Sequence, residues 1–193
     1  MKRFRSILTL LVLATLLTGC AKDPFSVREG EKPLDDEGTF ITPVDPLIAI
    51  ENLRYAMIER NLGHYYQTHP DTLRFTFDFL LVSRPDSVSS WDGREEDRIV
   101  GNLFSTADSI ALDWRVTPGR VDRFEDSTAT LYRSYEIDVV APDADSTITR
   151  HYEGEMVVGM GRNALDLWWI VHWEDLHIGA ELESWADLKS SYR

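Results

Sequence analysis

The sequence predicts an α+β domain in which helices come first and an antiparallel meander follows. Three observations carry this. The segment 45–61 opens on a capping residue and repeats its apolar side chains at helical spacing. Four later segments alternate apolar and polar residues and are separated by short turn sequences. Cys20 is the only cysteine, so no internal disulfide can staple the body, which must rely on a hydrophobic core.

The elements follow in order. Asp45 can cap a helix and Pro46 suits its first turn; Leu47, Ile50, Leu53 and Met57 then recur at helical spacing to about Asn61, where Leu62-Gly63 ends the run. His64 to His69 predicts a short second helical turn before Pro70-Asp71. LRFTFDFLL sets Phe75, Phe77 and Phe79 at alternate positions, a strand with one buried face. A polar loop leads to a third helix over Arg94 to Phe104, packed through Ile99, Leu103 and Phe104, with Glu95-Glu96-Asp97 at its favourable N-terminal end. SIALDWRVT, TATLYRSYEIDVV, TITRHYEGEMVVGM and WWIVHWEDL form the meander, turning at PDADS and GRNALD. Ser184 and Asp187 stand at capping-box spacing before a short closing helix. Helices preceding a run of strands belong to the α+β class, with the helices on one face of the sheet.

The first nineteen residues read differently. Lys2, Arg3 and Arg5 precede the apolar run Ile7–Leu17, which is eleven residues long, against about 20 for a membrane-spanning helix. Leu17-Thr18-Gly19-Cys20 closes it and resembles the lipobox of bacterial lipoproteins. The resemblance implies cleavage after residue 19, acylation of Cys20, and anchoring by several acyl chains. With Ala21 rather than aspartate next, it implies an outer-membrane address facing the periplasm. Residues 20–43 are rich in Asp, Glu, Pro and Gly without an apolar period, the composition of a flexible tether. Residues 44–193 are then one domain. Loss of Lys2, Arg3 and Arg5 leaves 17 basic against 33 acidic residues, a net charge of −16, which disfavours nucleic acid and anionic lipid.

Several stretches of this domain resemble the nuclear transport factor 2-like superfamily. Pro46 to Leu53, continuing through Asn61-Leu62-Gly63-His64-Tyr65, is similar to its first helix and the short one after it; Leu73 to Phe79 is similar to the following strand. Trp169-Ile170 with Trp173-Glu174-Asp175 resembles the last strand of its lipoprotein members. The resemblance implies N-terminal helices packed in a strongly curved antiparallel sheet, a cone with a pocket between helix and sheet. A cystatin-like sheet on one helix is the nearest alternative; a lipocalin-like barrel would need more strands and fewer early helices.

Strict alternation in WWIVHWEDL places Trp168, Ile170, His172 and Glu174 on one face and Trp169, Val171, Trp173 and Asp175 on the other, unless a bulge near Val171-His172 shifts the pattern. The tryptophans are accounted for as core, each indole removing about 150–250 Å² from water. As pocket walls they give the set Tyr65, Tyr66, Trp114, Trp169, His172, Trp173, Glu174 and Asp175, with His64 nearby. By analogy with enzymes of the superfamily, a buried pairing of His172 with Glu174 or Asp175 would supply a general base. No complete catalytic set is legible, and no cofactor is implied. His64 and His69 lack the i, i+4 spacing of helical metal ligands, and His151, Glu153 and Glu155 read as a solvated strand face with cross-strand pairs. Asp143-Ala144-Asp145 lacks the remaining ligands of a calcium loop. Three functions stay open: a non-enzymatic binder of a small apolar ligand or of another envelope protein; a periplasm-facing isomerase, dehydratase or hydrolase; and a structural homodimerisation module.

Overall fold

Asp45 starts the first helix as its sequence requires, its carboxylate accepting the Leu47 N–H at 2.7 Å. The structure, a computed structural model, describes residues 38–70, 78–81, 91–144, 146–179 and 182–193. Residues 1–19, expected as a leader, with Leu17, Thr18 and Gly19, and the acylation candidate Cys20 lie outside the described residues, as do Phe75 and Phe77. Helix α1 spans Pro46–Glu59 and buries Ala49, Ile50, Leu53, Ala56 and Met57. It ends earlier than expected, at Arg60, which takes the left-handed conformation (φ 50°) although it is not a glycine. Its guanidinium donates to the Ala107 carbonyl, which ties this turn to the rest of the fold. Asn61 then caps α2 (Leu62–Gln67), so Gly63 lies inside the second helix rather than ending the first.

The chain is docked a few residues before α1. Thr39 N–H donates to Glu59, and the Asn52 amide pairs with both backbone groups of Ile41, at 2.9 and 2.6 Å. The Pro43 carbonyl accepts the Trp168 N–H at 2.8 Å. Ordered contacts thus begin upstream of residue 44, the boundary drawn from composition, because buried Asn52 serves the backbone there as a strand partner would.

Strand β1 (Asp78–Leu81) and helix α3 (Gly93–Thr106) precede the meander β2 (Ser109–Val116), β4 (Thr128–Asp143), β5 (Ser146–Arg162) and β6 (Trp168–Leu176). A two-residue strand, β3 (Arg123–Phe124), also pairs with β4. The sheet order is β1-β6-β5-β4-β2, antiparallel except at one edge, where β1 runs parallel to β6 with Asp78 opposite His172. Along β4 alternate residues from Ala129 to Ala141 point inward; along β5 the inward set runs from Tyr152 to Met160. Helix α4 (Trp185–Ser191) closes the chain, with Ser184 N–H on the Asp187 carboxylate at 2.9 Å, half of the expected capping box. The core gathers between α1, α3, α4 and the inner face of this curved sheet.

Candidate functional sites at the two ends of the last strand

Strand β6 is not regular. Gly159 pairs with His172 and Met160 pairs with Ile170, so Val171 is an extra residue without a ladder partner. The bulge advances the alternation by one step. Trp168, Ile170, Trp173 and Asp175 face inward and are buried, while Trp169, Val171, His172 and Glu174 are half-exposed on the other face. The bulge allowed for near Val171-His172 is thus present and shifts the regular alternation: Trp173 and Asp175 join Trp168 and Ile170 on the inner face, and the pair His172–Glu174 stands outside the core, still on the face opposite Asp175. His172 sits over Gly159, where an added Cβ would come within 3.1 Å of its own, and Val171 sits over Gly161. Two small residues on β5 make room for the extra one on β6.

At its far end β6 contributes to a buried polar cluster. Asp175 accepts the Tyr135 hydroxyl at 2.5 Å and the Ala186 N–H at 2.9 Å; the Trp185 N–H in turn donates to the Tyr135 oxygen at 2.8 Å. Gly154 is obligatory beside it, since any Cβ there would collide with that hydroxyl. Burial raises the Asp175 pKa above the usual aspartate range, against the opposing hydrogen bonds from Tyr135 and Ala186. Next to it, the fully buried Glu96 meets Lys189 Nζ at 2.5 Å, the Trp91 indole N–H at 2.6 Å and the Tyr65 hydroxyl. Burial alone would raise the Glu96 pKa, but Lys189, Tyr65 and Trp91 together bring it below the ordinary value. Lys189 itself is lowered, burial outweighing its two carboxylate neighbours. Its ammonium lies 4.1 Å from the centroid of the Trp173 ring and 5.3 Å from that of Trp185.

At its near end β6 borders an open cleft of about 300 Å³. Trp168 and Trp169 form one wall and Phe40 and Tyr66 contribute to the others, with Gln67, His69 and Asn163 as the polar lining. Two backbone bonds fix this end: Trp168 N–H to Pro43 and Ile170 N–H to the Thr68 carbonyl, each 2.8 Å. The Asn163 side chain accepts the N–H groups of Leu165 and Leu167 at 2.9 and 3.0 Å and so shapes the β5–β6 turn. His69 is buried, with Nε2 2.9 Å from the Asp97 carboxylate and its ring edge-on to Tyr65 at 5.4 Å.

The sequence matches no known family model, and no curated protein matches it either. Solved structures do match. A protein of Kribbella flavida superposes with a TM-score of 0.58 at 12% identity, over 77% of this chain and 97% of that one. A dehydratase candidate of the nuclear transport factor 2-like family from Streptomyces avermitilis gives 0.55 at 14%, over 72% and 99%. A superfamily member from Salmonella enterica serovar Typhimurium gives 0.50 at 16%, over 69% and 90%. The fold is the nuclear transport factor 2-like cone.

Within the cone the expected pocket residues divide into separate places. Tyr65, Trp173 and Asp175 belong to the buried cluster; Tyr66, 44% exposed, and Trp169 line the cleft. Trp114 reaches α1 instead, its indole N–H on Glu51 at 3.0 Å. His172 and Glu174 are on the outer face, and His64 packs its ring near Phe40 at 5.2 Å. His151 pairs across the strands with Asp138 at 2.8 Å, the cross-strand arrangement expected of that face. The sequence reading missed Glu96 and Lys189. Glu96 occupies the apolar stripe of α3, three, four and seven residues before Ile99, Val100 and Leu103, and Lys189 falls four after Trp185. That spacing was the available signal.

Proposed function

We propose that this chain is a lipid-anchored protein of the bacterial cell envelope whose cone domain binds a small, largely apolar ligand without transforming it. The cleft at the start of β6 is the binding site. The observation that carries this reading is the contrast in availability. The carboxylates inside the cone already hold several donors each, whereas the cleft offers aromatic side chains to solvent in a space of small-ligand size. The neutral fluorescent probe N-phenylnaphthylamine tests it. Trp169→Ala and Tyr66→Ala are each expected to weaken its binding about tenfold while leaving far-UV circular dichroism unchanged; wild-type affinity in both variants would remove the cleft from consideration. Anchoring rests on Leu17-Thr18-Gly19-Cys20, and Cys20→Ser is expected to release the protein from the membrane fraction.

One observation favours an enzymatic second reading, as an isomerase, dehydratase or hydrolase. His69 lines the cleft with Nε2 2.9 Å from the Asp97 carboxylate and Nδ1 3.3 Å from the Thr68 hydroxyl, a histidine–carboxylate pair in which displacement of Thr68 would present the second ring nitrogen as a base. In heavy water, a bound ligand that exchanges carbon-bound hydrogen for deuterium in the wild type, but not in His69→Gln, would favour proton abstraction over simple binding.

A further inference from the structure

Isolated apolar side chains on a surface need no explanation, but their distribution here is one-sided. Among the described residues the large apolar side chains more than half exposed are Val44, Val116, Val121, Phe124 and Leu165, between 52 and 79%. All five lie at one end of the cone, and backbone pairing joins their segments there. Trp168 N–H donates to Pro43, next to Val44; Arg162 N–H donates to Ser127, between Phe124 and β4; Thr117 N–H, next to Val116, donates to Tyr132. Phe124 stands opposite Ala129 on β4, and Arg162 stands opposite Trp168 across the turn that carries Leu165. The cleft lies at this end too, bordered by Pro43, Asn163 and Leu167. Past the other end of β6 the most exposed such side chain, Ile178, reaches 49%.

Charge narrows what such a surface can meet. The chain carries a net charge of −13. At this end, however, Arg120 and Arg123 offset Glu125 and Asp126, Arg133 holds Asp122 at 2.8 Å, and Arg162 holds Asp166, so that the cap Asp45 is left over. An apolar, nearly neutral surface edged by the exposed Arg120 and Arg123 fits a zwitterionic lipid. Guanidinium groups can meet phosphate oxygens while apolar side chains enter the headgroup and acyl boundary. We propose that this end of the cone rests on a zwitterionic lipid surface, with Val121, Phe124 and Leu165 entering it and the cleft held beside the bilayer. The inference deepens the reading of an anchored binder of apolar ligands by naming the surface at which it works, and rests on that reading for the reason the surface exists. Anchoring permits the contact. The eighteen chain steps from Cys20 to Gly38 extend to roughly 65 Å at most. Gly38 lies beside Glu59, removed from this end by the length of α1, about 21 Å.

The test uses the full chain and the fact that Cys20 is its only cysteine. Acylation consumes that thiol, so a cysteine introduced elsewhere takes the only label. Leu165→Cys and, at the opposite end, Ile178→Cys are labelled with bimane and reconstituted in phosphatidylcholine vesicles that contain brominated phosphatidylcholine. Quenching at Leu165→Cys is expected to exceed that at Ile178→Cys at least about threefold, as side chains in the headgroup layer require. Equal quenching at the two ends, or none at either, would overturn the proposal. Val121→Asp/Phe124→Asp in the Leu165→Cys background should abolish the quenching with far-UV circular dichroism unchanged; undiminished quenching refutes the contact. A blue shift of the label that follows protein concentration instead of lipid would assign the surface to a second copy of the chain and equally overturn it. Uptake of label by wild type would mean that Cys20 is not acylated. That sinks the anchor, and the same two labels in a Cys20→Ser background, mixed with vesicles at millimolar lipid, then decide the surface. Failure of N-phenylnaphthylamine to bind wild type would remove the cleft and leave the end-to-end difference in quenching to stand or fall separately.

Discussion

The two ends of β6 use similar side chains to different effect. At the Asp175 end, tyrosine, tryptophan, carboxylate and lysine are closed off from water and hold one another in fixed positions. At the Trp168 end, tryptophan, tyrosine and a histidine–carboxylate pair border a cleft that solvent enters. Residue type does not separate a structural cluster from a binding site. What separates them is whether the hydrogen-bonding capacity is already spent and whether anything outside can reach it. Neighbours on α3 make the same point. Glu95, on the surface, is held down to about 2 by hydrogen bonds from Arg98 and Arg193, yet solvent screens those bonds. Glu96, one residue on, is buried with three partners, and Asp97 orients a histidine at the cleft.

Mutations at the two ends should therefore differ in kind. Glu96→Ala is expected to produce the largest loss of stability, about 3–5 kcal/mol, because it strands the buried Lys189 charge; urea denaturation measures it. A loss below about 1 kcal/mol would mean that the interior is wetter than its burial indicates.

Acid comes next, and here the two interior carboxylates have opposite signs. The Glu96 pKa is below its ordinary value of 4.5 in the folded state, so its contribution is complete above that value and is lost as pH falls through the lower native one. The Asp175 pKa is above its ordinary 3.8, so protons favour the native state as pH falls through the raised value towards 3.8. In denaturation series from pH 7 to pH 3, Glu96→Gln should flatten the acid loss of stability, and Asp175→Asn should make it begin at higher pH.

Smaller effects sharpen the contrast. Trp114→Phe keeps the ring but deletes the bond to Glu51, and should cost about 1 kcal/mol at this half-buried site. Tyr66→Ala should change stability by no more than about 0.5 kcal/mol while still weakening probe binding. The Tyr66 result would show that the cleft can be altered without disturbing the body.

Much of the fold was legible in the sequence. Asp45-Pro46 marked the start of α1, the alternation in TATLYRSYEIDVV marked β4, and Ser184 with Asp187 marked α4, because each signal is local. Misreadings arose where tertiary structure decides. Arg60 adopts a conformation usually left to glycine, its N–H closing the helix on Ala56 and Met57 while its guanidinium donates to the distant Ala107 carbonyl. The parallel pairing of β1 joins segments more than ninety residues apart. The bulge near Val171-His172, admitted by the sequence, was marked there only indirectly, by Gly159 and Gly161 on the neighbouring strand. Of the site, the aromatic residues were visible, but the buried charges were not, since a charged side chain reads as solvated until its partner across the fold is known.

That single unpaired residue on β6 also works as a phase selector. Were Val171 taken into the ladder, the rest of the strand would rotate by half a turn, carrying His172 and Glu174 inward and Trp173 and Asp175 out. An imidazole and a carboxylate would then replace an indole and its hydrogen-bonded neighbour on the inner face. Re-exposing the indole opposes the exchange by about 4–6 kcal/mol, from its area at ~25 cal/mol per Å². The same nine residues thus encode two different chemistries for the chamber, and one out-of-step valine chooses between them.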